Sequence, residues 1–353
     1  MESKEIILSR NLIREVESVV TSICHDKLFV LTDETTYKLC LPLLSGTAVL
    51  ENAVSIVIGA TDVHKTIETL TAVWKSLGDG GGTRHSLLLN LGGGMVTDLG
   101  GFAASTFKRG ISYVNIPTTL LSMVDASVGG KTGINFNGLK NEIGVFNKPQ
   151  VVLVDTGFLR SLDYENICSG YAEMLKHGLI SNEKTWADLL KFDLKNVDYS
   201  KLQDMVAESI GVKDRIVEED PFEKGIRKAL NLGHTAGHAI ESLALEDGRP
   251  VLHGYAVAWG LVCELYLSVV KTRFPKDKML QTVQFIKENY GSFGFDCNQY
   301  QRLYNFMTHD KKNVGGIINF TLLGGVGDIR INQQADKSEI YAMLDFYRDM
   351  MGC

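Results

Sequence analysis

Short, continuous apolar runs alternate with amphipathic segments through the first 155 residues, and few folds accommodate that alternation. The runs have the length and β-rich composition of strands, and they cover residues 27–33, 54–59, 86–91, 113–117 and 151–155. Between them, residues 12–23 and 63–77 carry apolar side chains at helical spacing. Strands that are continuously apolar and separated by helices indicate a parallel sheet covered by helices on both sides.

Beyond about residue 156, long helical patterns replace this alternation. Helical spacing covers residues 166–180, 199–217, 233–245, 254–270, 277–290 and 337–351, and one β-rich run remains at 317–323. We therefore predict a nucleotide-binding type of α/β domain with a parallel sheet at 1–155, and a mostly α-helical domain at 156–353. No linker rich in proline, glycine or serine marks the boundary.

Composition excludes several classes of protein. The 36 basic and 42 acidic residues give a net charge of −6, which provides no basic footprint for nucleic acid. The N-terminus has no apolar signal-peptide core, and the most apolar stretch, 251–270, contains His253 and Glu264, which favours a buried helix over a membrane span. The six cysteines form no CxxC pair. We expect a soluble, cytoplasmic protein with reduced thiols that binds neither nucleic acid nor membrane.

Two glycine-rich segments are candidates for phosphate binding. In LGGGMVTDLGG, residues 91–101, a predicted strand ends at three glycines and a helix begins, so main-chain N–H groups could approach a pyrophosphate. This is not the GxGxxG fingerprint, and a plain turn is the alternative. The second segment, VDASVGGKTG at 124–133, is not a Walker A motif, because position 125 is Asp where that motif requires Gly. It leaves Asp125 and Lys131 in one Gly-rich loop, with Lys140 and Asn141 following.

Histidines and a carboxylate form a candidate metal site. His234 and His238 are four residues apart and share a helix face, and His253 opens an apolar helix. Glu173 lies in a helix that is otherwise apolar on that flank, where a carboxylate is costly unless it is paired or ligated. Two histidines and one carboxylate would form an open catalytic zinc site. Spacing alone leaves open a Glu173–His177 metal pair, a ligand at Glu173 beside a substrate-binding Lys176, or purely structural histidines.

Cations adjoin these motifs in the sequence, and their clustering suggests a pocket for phosphate and carboxylate groups. Surface salt bridges are the alternative for each of them. The cations are Arg109, Lys213, Arg227, Lys311 and Lys312.

Taken in order, these motifs resemble those of the 3-dehydroquinate synthase family, within the sugar-phosphate cyclases. The resemblance extends from about residue 33 to residue 327. It is carried by LGGGMVTDLGGF, RGI, IPTTLLSMVDASVGGKTGIN, KNEIGVFNKP, SGYAEMLKHG, LNLGHTAGHAIE, LHG and DKK. It implies that the α/β domain binds a dinucleotide and that the helical domain binds a metal.

The resemblance also implies a reaction, in which a carbon–oxygen lyase converts 3-deoxy-D-arabino-heptulosonate 7-phosphate to 3-dehydroquinate and phosphate in the shikimate pathway of aromatic amino acid biosynthesis. The steps are transient oxidation by NAD, β-elimination of phosphate, re-reduction, ring opening and intramolecular aldol closure. The implied cofactors are NAD and one divalent metal ion, zinc or cobalt. We expect a phosphorylated sugar acid as substrate and a homodimer.

Three rival functions remain open. The first is another sugar-phosphate cyclase of the valiolone or inosose type, which would share the fold, the metal and NAD. The second is a metal-dependent polyol dehydrogenase, which would accumulate NADH. The third is an inactive ligand-binding regulator, which should have lost metal or lysine positions, whereas all of those that can be mapped are retained.

By motif match, the resemblance assigns residues to three groups. The metal ligands are Glu173, His234 and His253, with His177 outside the set. The cofactor-binding residues are Asp33, Asp62, Lys65, Gly93, Gly94, Met95, Asp98, Thr118, Thr119, Lys140 and Ser161. The substrate-binding and catalytic residues are Arg109, Asp125, Lys131, Asn141, Lys176, Lys213, Arg227, Asn231, His238, Lys311 and Lys312, of which Asn231 and His238 are candidates to relay the hydroxyl proton. Asp62 and Thr35 depart from the family pattern of Glu and Asn, and both departures concern NAD binding and not the chemistry.

Overall fold

A computed structural model describes residues 5–137, 139–308 and 318–353. The chain forms two compact units, Met1–Asp163 and Tyr164–Cys353, and each is described by itself. The domain limits predicted from the sequence, 1–155 and 156–353, stay a prediction, because compactness alone does not show where an independently folding domain ends.

A six-stranded parallel sheet forms the centre of the first unit, in the order β1-β8-β5-β4-β2-β3. The strands of this unit are β1 (Glu5–Leu8), β2 (Leu28–Asp33), β3 (Val54–Ile58), β4 (Leu87–Gly92), β5 (Ser112–Pro117), β6 (Lys131–Phe136), β7 (Leu139–Phe146) and β8 (Val151–Val154). Its helices are α1 (Leu12–Ser22), α2 (Glu34–Leu39), α3 (Ile67–Asp79) and α4 (Gly94–Thr106). Every residue of β2 and β4 is buried, as the continuous apolar runs predict for strands covered on both faces. The predicted parallel α/β fold is confirmed.

Two features of the first unit differ from the sequence prediction. The predicted helix at 63–77 begins later, at Ile67, because Lys65 leaves the helical conformation and the Thr66 hydroxyl caps the first turn. The segment expected to be a Gly-rich loop instead forms an antiparallel hairpin of β6 and β7. Lys131 is therefore the first residue of a strand, and Lys140 and Asn141 lie on β7. All eight residues of β7 are exposed, so it has no buried apolar run by which to recognise it.

The second unit is mostly helical, as predicted. Its helices are α5 (Tyr164–Ser181), α6 (Glu183–Leu190), α7 (Tyr199–Glu219), α8 (His234–Glu246), α9 (His253–Thr272), α10 (Lys276–Tyr290), α11 (Tyr300–Thr308) and α12 (Lys337–Met351). An antiparallel pair of strands, β9 (Asn319–Gly325) and β10 (Asp328–Gln334), completes it. A 3₁₀ turn, Ile226–Asn231, precedes α8.

Helix α9 is the central helix of this unit. Within the part of the chain that the structure describes, it is the one helix long and apolar enough to cross a membrane, but 72% of its most apolar window is buried inside the unit. This is typical of the core helix of a soluble protein. A Cβ on Gly260 would lie 1.9 Å from the carbonyl oxygen of Gly233, so α8 and α9 approach each other as closely as glycine allows.

Candidate active site

Four side chains that can bind a metal converge in the helical unit. Helix α8 supplies His234 and His238, and α9 supplies His253 as its first residue; one nitrogen from each of these rings lies within 4.8 Å of the others. Glu173 on α5 is fully buried, and its Oε1 lies 3.4 Å from Nε2 of His234 and 3.7 Å from Nε2 of His253. The three predicted ligands therefore lie together, with His238 beside them.

Burial and neighbouring charges set the protonation of each candidate ligand. Burial opposes ionisation of Glu173, but Lys176 and the neighbouring imidazoles outweigh it and hold the pKa of Glu173 well below its usual range. Burial, together with the charge of Lys176, lowers the pKa of His234 to about 3, so its imidazole is neutral and can donate a lone pair. Burial also acts against the charged form of His253, but Glu173 and Glu241 raise its pKa to about 10, so a metal at this position must displace a proton.

The residues present fit a divalent ion. Both carboxylate oxygens of Glu173 are buried and lack a hydrogen-bond partner, although the carboxylate forms an ion pair with Lys176. Nδ1 of His234 lies 3.1 Å from the carbonyl oxygen of Leu232, and Nδ1 of His253 lies 3.5 Å from Oε2 of Glu241. Such outer partners leave each Nε2 directed at the metal position. Imidazole and carboxylate donors suit zinc or cobalt.

The contacts of helix α5 bear on the alternative roles of Lys176 and His177 that residue spacing left open. Lys176 reaches Glu173, so the i,i+3 pair is formed and buried. Nδ1 of His177 is hydrogen-bonded to Oγ of Ser209 at 2.7 Å, while the ring still lies within 4.8 Å of Glu173. The exclusion of His177 from the ligand set therefore stays a prediction.

Two of the other predicted substrate-binding residues of this unit donate hydrogen bonds to a turn that precedes α8. Nη1 of Arg227 donates to the carbonyl oxygen of Pro221 at 2.6 Å, and Nδ2 of Asn231 donates to Oε1 of Glu223 at 2.8 Å. Lys213 is buried on α7. Glu223 is a carboxylate that the motif analysis did not identify, because nothing in the spacing of a Pro-Phe-Glu turn distinguishes it from a solvated surface residue. The predicted Lys311 and Lys312 lie outside the described residues.

In the first unit, the predicted cofactor-binding residues lie at the carboxyl ends of adjacent parallel strands, where open α/β sheets bind their ligands. Asp33 ends β2, the glycine turn follows β4, and Thr118 and Thr119 follow β5. Helix α4 begins at Gly94, has no side-chain cap, and carries Met95 in its first turn. Ser161 ends the 3₁₀ turn after β8, and its hydroxyl donates to the carbonyl oxygen of Phe158 at 2.8 Å. Burial raises the pKa of the nearby Cys40 thiol, and the hydroxyls of Thr118 and Ser161 counteract that rise.

Close packing explains the glycines of this turn. A Cβ on Gly92 would lie 2.5 Å from the side chain of Val96, and one on Gly93 would lie 3.1 Å from Thr119. Glycine therefore lets the chain turn sharply from β4 into α4 and leaves main-chain N–H groups at the helix start uncovered by a side chain.

A lysine-centred network joins α4 to the hairpin. Nζ of Lys65 lies 2.6 Å from Oδ2 of Asp98 and 2.5 Å from Oδ1 of Asn141. Asn141 has a positive φ of 51°. The carboxylate of Asp62 accepts a hydrogen bond from Asn135 on β6 at 3.0 Å, so Asp62 also contacts the hairpin. A predicted substrate residue, Asn141, thus accepts a hydrogen bond from a predicted cofactor residue, Lys65.

The remaining predicted residues of the first unit lie on short irregular or exposed segments. Arg109 ends a 3₁₀ turn, Phe107–Arg109, with φ of 70°, and its side chain is exposed. Asp125 lies in a π-helical turn, Ser122–Ala126, and is half-buried. Lys131 and Lys140 are exposed on the hairpin.

Comparison with known proteins agrees with this geometry. Residues 55–169 match the family model described as 3-dehydroquinate synthase N-terminal, and residues 170–313 match 3-dehydroquinate synthase C-terminal. A 3-dehydroquinate synthase of Parabacteroides distasonis is 53% identical over 352 residues, with both chains fully covered.

Solved structures share the fold. A 2-deoxy-scyllo-inosose synthase, solved with carbaglucose-6-phosphate, NAD+ and Co2+, aligns with a TM-score of 0.83 and 21% identity, over 98% of this chain and 96% of that one. The 2-epi-5-epi-valiolone synthase of Streptomyces hygroscopicus, solved with NAD+ and Zn2+, aligns with a TM-score of 0.83 and 24% identity, over 99% and 98%.

The fold is therefore that of the sugar-phosphate cyclases. Within that class, the chain belongs to the 3-dehydroquinate synthase family and is an enzyme of that type.

Proposed function

We propose that this protein converts 3-deoxy-D-arabino-heptulosonate 7-phosphate to 3-dehydroquinate and phosphate, with NAD and one divalent metal ion as cofactors. The observation that carries the proposal is the convergence of His234 and His253 on Glu173, a fully buried carboxylate without a hydrogen-bond partner. The full-length identity of 53% to a 3-dehydroquinate synthase supports the choice of this reaction among the cyclases.

Glu173, His234 and His253 would hold the metal ion. Bound there, the ion would supply Lewis-acid chemistry, and NAD bound in the first unit would supply reversible hydride acceptance. Lys176 balances the charge of Glu173 from the next turn of α5, and Glu241 and the carbonyl of Leu232 orient the two imidazoles. These contacts keep the donor atoms in place before the substrate arrives.

The first unit would hold NAD along the carboxyl edge of its sheet. The uncovered start of α4 at Gly93 and Gly94 suits the pyrophosphate, because main-chain N–H groups and the positive helix end face that position. Asp33, Thr118 and Ser161 border Cys40 and would contact the rest of the dinucleotide together with Asp62, Lys65, Met95, Asp98, Thr119 and Lys140.

Cationic and amide side chains would hold the phosphate and carboxylate of the substrate. Phosphate leaves with its electron pair, so its charge grows along the elimination, and a fixed cation stabilises that transition state more than the bound substrate. The cationic and amide residues assigned to this task are Arg109, Lys131, Asn141, Lys176, Lys213, Arg227, Lys311 and Lys312; the carboxylate Asp125 is assigned to the substrate but not to its anionic groups.

The substrate hydroxyl must lose a proton during oxidation. We assign this transfer to His238, which lies beside the metal group, and to Asn231, which the resemblance places in the same role. The carboxylate of Glu223, which accepts a hydrogen bond from Asn231 at 2.8 Å, supplies a proton acceptor next to Asn231. The departing phosphate can act as a second base.

The decisive experiment supplies the heptulosonate phosphate, a divalent metal and NAD in trace amount, and follows phosphate, dehydroquinate and NADH. We expect many turnovers per NAD, equal amounts of phosphate and dehydroquinate, and no lasting NADH. One NADH per product would instead identify a polyol dehydrogenase. Turnover of a sugar phosphate without a carboxylate, with none of the heptulosonate, would identify an inosose or valiolone type of cyclase.

We also propose a homodimer in the cytoplasm. The exposed hairpin strand β7 carries Leu139, Ile143, Val145 and Phe146, which are more than a third exposed and which a partner subunit would cover. The six cysteines are free thiols in the structure, in keeping with a reducing compartment. Analytical ultracentrifugation at micromolar concentration should give the mass of a dimer; a monomer at that concentration would exclude it.

A further inference from the structure

A buried glutamate that no part of the proposed mechanism uses lies behind the metal group. Glu264 is in the middle of α9, with none of its side chain exposed. Its Oε2 accepts a hydrogen bond from the N–H of Gly233 at 2.7 Å. Its Oε1 accepts from the N–H groups of Thr235 at 2.9 Å and Ala236 at 3.1 Å. The carboxylate of one helix thus caps the N-terminus of another.

This cap replaces one that α8 lacks. The N-cap position is Gly233, which has no side chain to accept from the first turn and which has a positive φ of 80°. The first N–H groups of a helix have no partner within it, and the helix dipole is positive there, so a carboxylate is the preferred acceptor. Three hydrogen bonds offset the cost of burying the charge of Glu264. The first residue of the turn so fixed is His234.

One peptide group connects Glu264 to His234. The N–H of Gly233 and the C=O of Leu232 belong to the same planar peptide. Its N–H donates to Glu264, and its C=O lies 3.1 Å from Nδ1 of His234. A peptide whose N–H is held by a carboxylate is a stronger acceptor at its oxygen. The carboxylate therefore fixes the plane that holds the imidazole with Nδ1 as donor and Nε2 as the free ligand atom.

We propose that Glu264 is a positioning residue for the metal ligand His234, acting through the Leu232–Gly233 peptide, and that it sets the affinity of the site for a divalent ion. This inference rests on the proposed metal site. The negative charge of Glu264 also cancels the positive end of α8, which would otherwise repel a divalent cation beside His234.

The test compares metal affinities of wild type and Glu264→Gln. The variant keeps the shape of the side chain but turns an amide group toward donors that need an acceptor. Apo-protein is titrated with Co2+ alone, followed by its visible d–d absorption, and the Zn2+ Kd is measured against a chromophoric chelator. We expect Glu264→Gln to raise both Kd values by about ten-fold or more, the usual effect of losing an outer-shell partner.

Thr282→Val is the matched control. Thr282 is fully buried on α10 and accepts a hydrogen bond from Nε1 of Trp186 on α6, and its hydroxyl donates to the carbonyl oxygen of Lys278 on α10. Its isosteric replacement should lower the melting temperature and leave both Kd values unchanged. A Glu264→Gln protein that behaves in the same way has lost only a structural contact, and that result would overturn the proposal.

Glu264→Asp covers the case in which the amide variant does not fold. It retains the charge with a shorter reach, so we expect its Kd values to lie between those of wild type and Glu264→Gln; values equal to wild type would count against a positioning role. Failure of the metal site itself is distinguishable, because wild type would then bind less than one equivalent of Co2+. If wild type binds one equivalent of Co2+ and the Kd values of Glu264→Gln equal those of wild type, the role of Glu264 is refuted and the metal site is not.

Discussion

Each unit of this protein holds a buried lysine against a carboxylate, and the two pairs differ in what completes them. In the α/β unit, Lys65 contacts both Asp98 and Asn141, and the side chain of Asp98 is 17% exposed. In the helical unit, the side chains of Lys176 and Glu173 are 1% and 0% exposed, and the oxygens of Glu173 have no hydrogen-bond partner. The first pair has a third polar partner in Asn141, whereas the carboxylate of the second pair has no hydrogen-bond partner besides its lysine ion pair.

The surroundings of the second pair indicate that Glu173 binds a further ligand. A buried ion pair without further hydrogen bonds is a poor source of stability, because desolvation outweighs its attraction. Such a pair persists where another ligand completes it. Two imidazoles already face Glu173, so a divalent ion is the ligand that fits.

Removal of a metal ligand from the helical unit should have the largest effect on metal affinity. In His253→Ala the open site loses one of its three protein donors, so we expect metal affinity to fall by more than about 100-fold, beyond the usual effect of an outer-shell change. Equilibrium dialysis with elemental analysis measures this. His177→Phe is the control, since Nδ1 of His177 is held by Ser209. Metal lost from His177→Phe and retained by His253→Ala would reverse the assignment.

A smaller effect should follow from forcing α8 and α9 apart. Gly260→Ala places a Cβ against Gly233, and overpacking of this kind destabilises a protein by about 1–3 kcal/mol. We expect a lower melting temperature and weaker metal binding, because His234 lies in the displaced turn. Calorimetric NAD affinity should stay near wild type. If NAD affinity falls while metal affinity is unchanged, the assignment of NAD to the first unit and of the metal to the second is wrong.

Arg109→Lys tests the substrate side of the α/β unit. Lys cannot reproduce the planar fork of Arg on an oxyanion, so kcat/KM should fall by roughly ten-fold, about 1.4 kcal/mol of transition-state stabilisation. NAD affinity without substrate should change little, as it should for Lys131→Ala. Large losses of NAD affinity with an unchanged rate at saturating NAD would assign both residues to the cofactor instead.

The smallest expected effect is that of Asp62→Asn. Asp62 is exposed and already accepts a hydrogen bond from Asn135, so its contribution to NAD binding should be near the low end of a single hydrogen bond, about 0.7 kcal/mol or a three-fold rise in Kd. Isothermal titration of NAD measures it. A ten-fold or larger rise would mean that the carboxylate binds the cofactor directly, despite being shorter than the Glu of the family pattern.

The parallel strands were predictable because each is a continuous apolar run, and all five predicted strands occur with ends within one residue. The short β1 and the hairpin were missed, since four residues give a weak signal and β7 buries no side chain.

Periodicity also could not distinguish Lys176 from His177 as the ion-pair partner of Glu173, because that depends on the direction of side chains in the packed helix. The contacts of Glu223, Glu241 and Glu264 depend on tertiary structure, and no local pattern encodes them.

The cap on α8 also has a consequence for the order of folding. The carboxylate that completes the first turn of this helix comes from a residue about thirty positions later in the chain, so the turn gains its acceptor only after α9 has docked. Local helix formation is marginal without such contacts. Metal capture is therefore a late event, and during synthesis the nascent chain cannot assemble its ion-binding group until residues well beyond His253 have emerged.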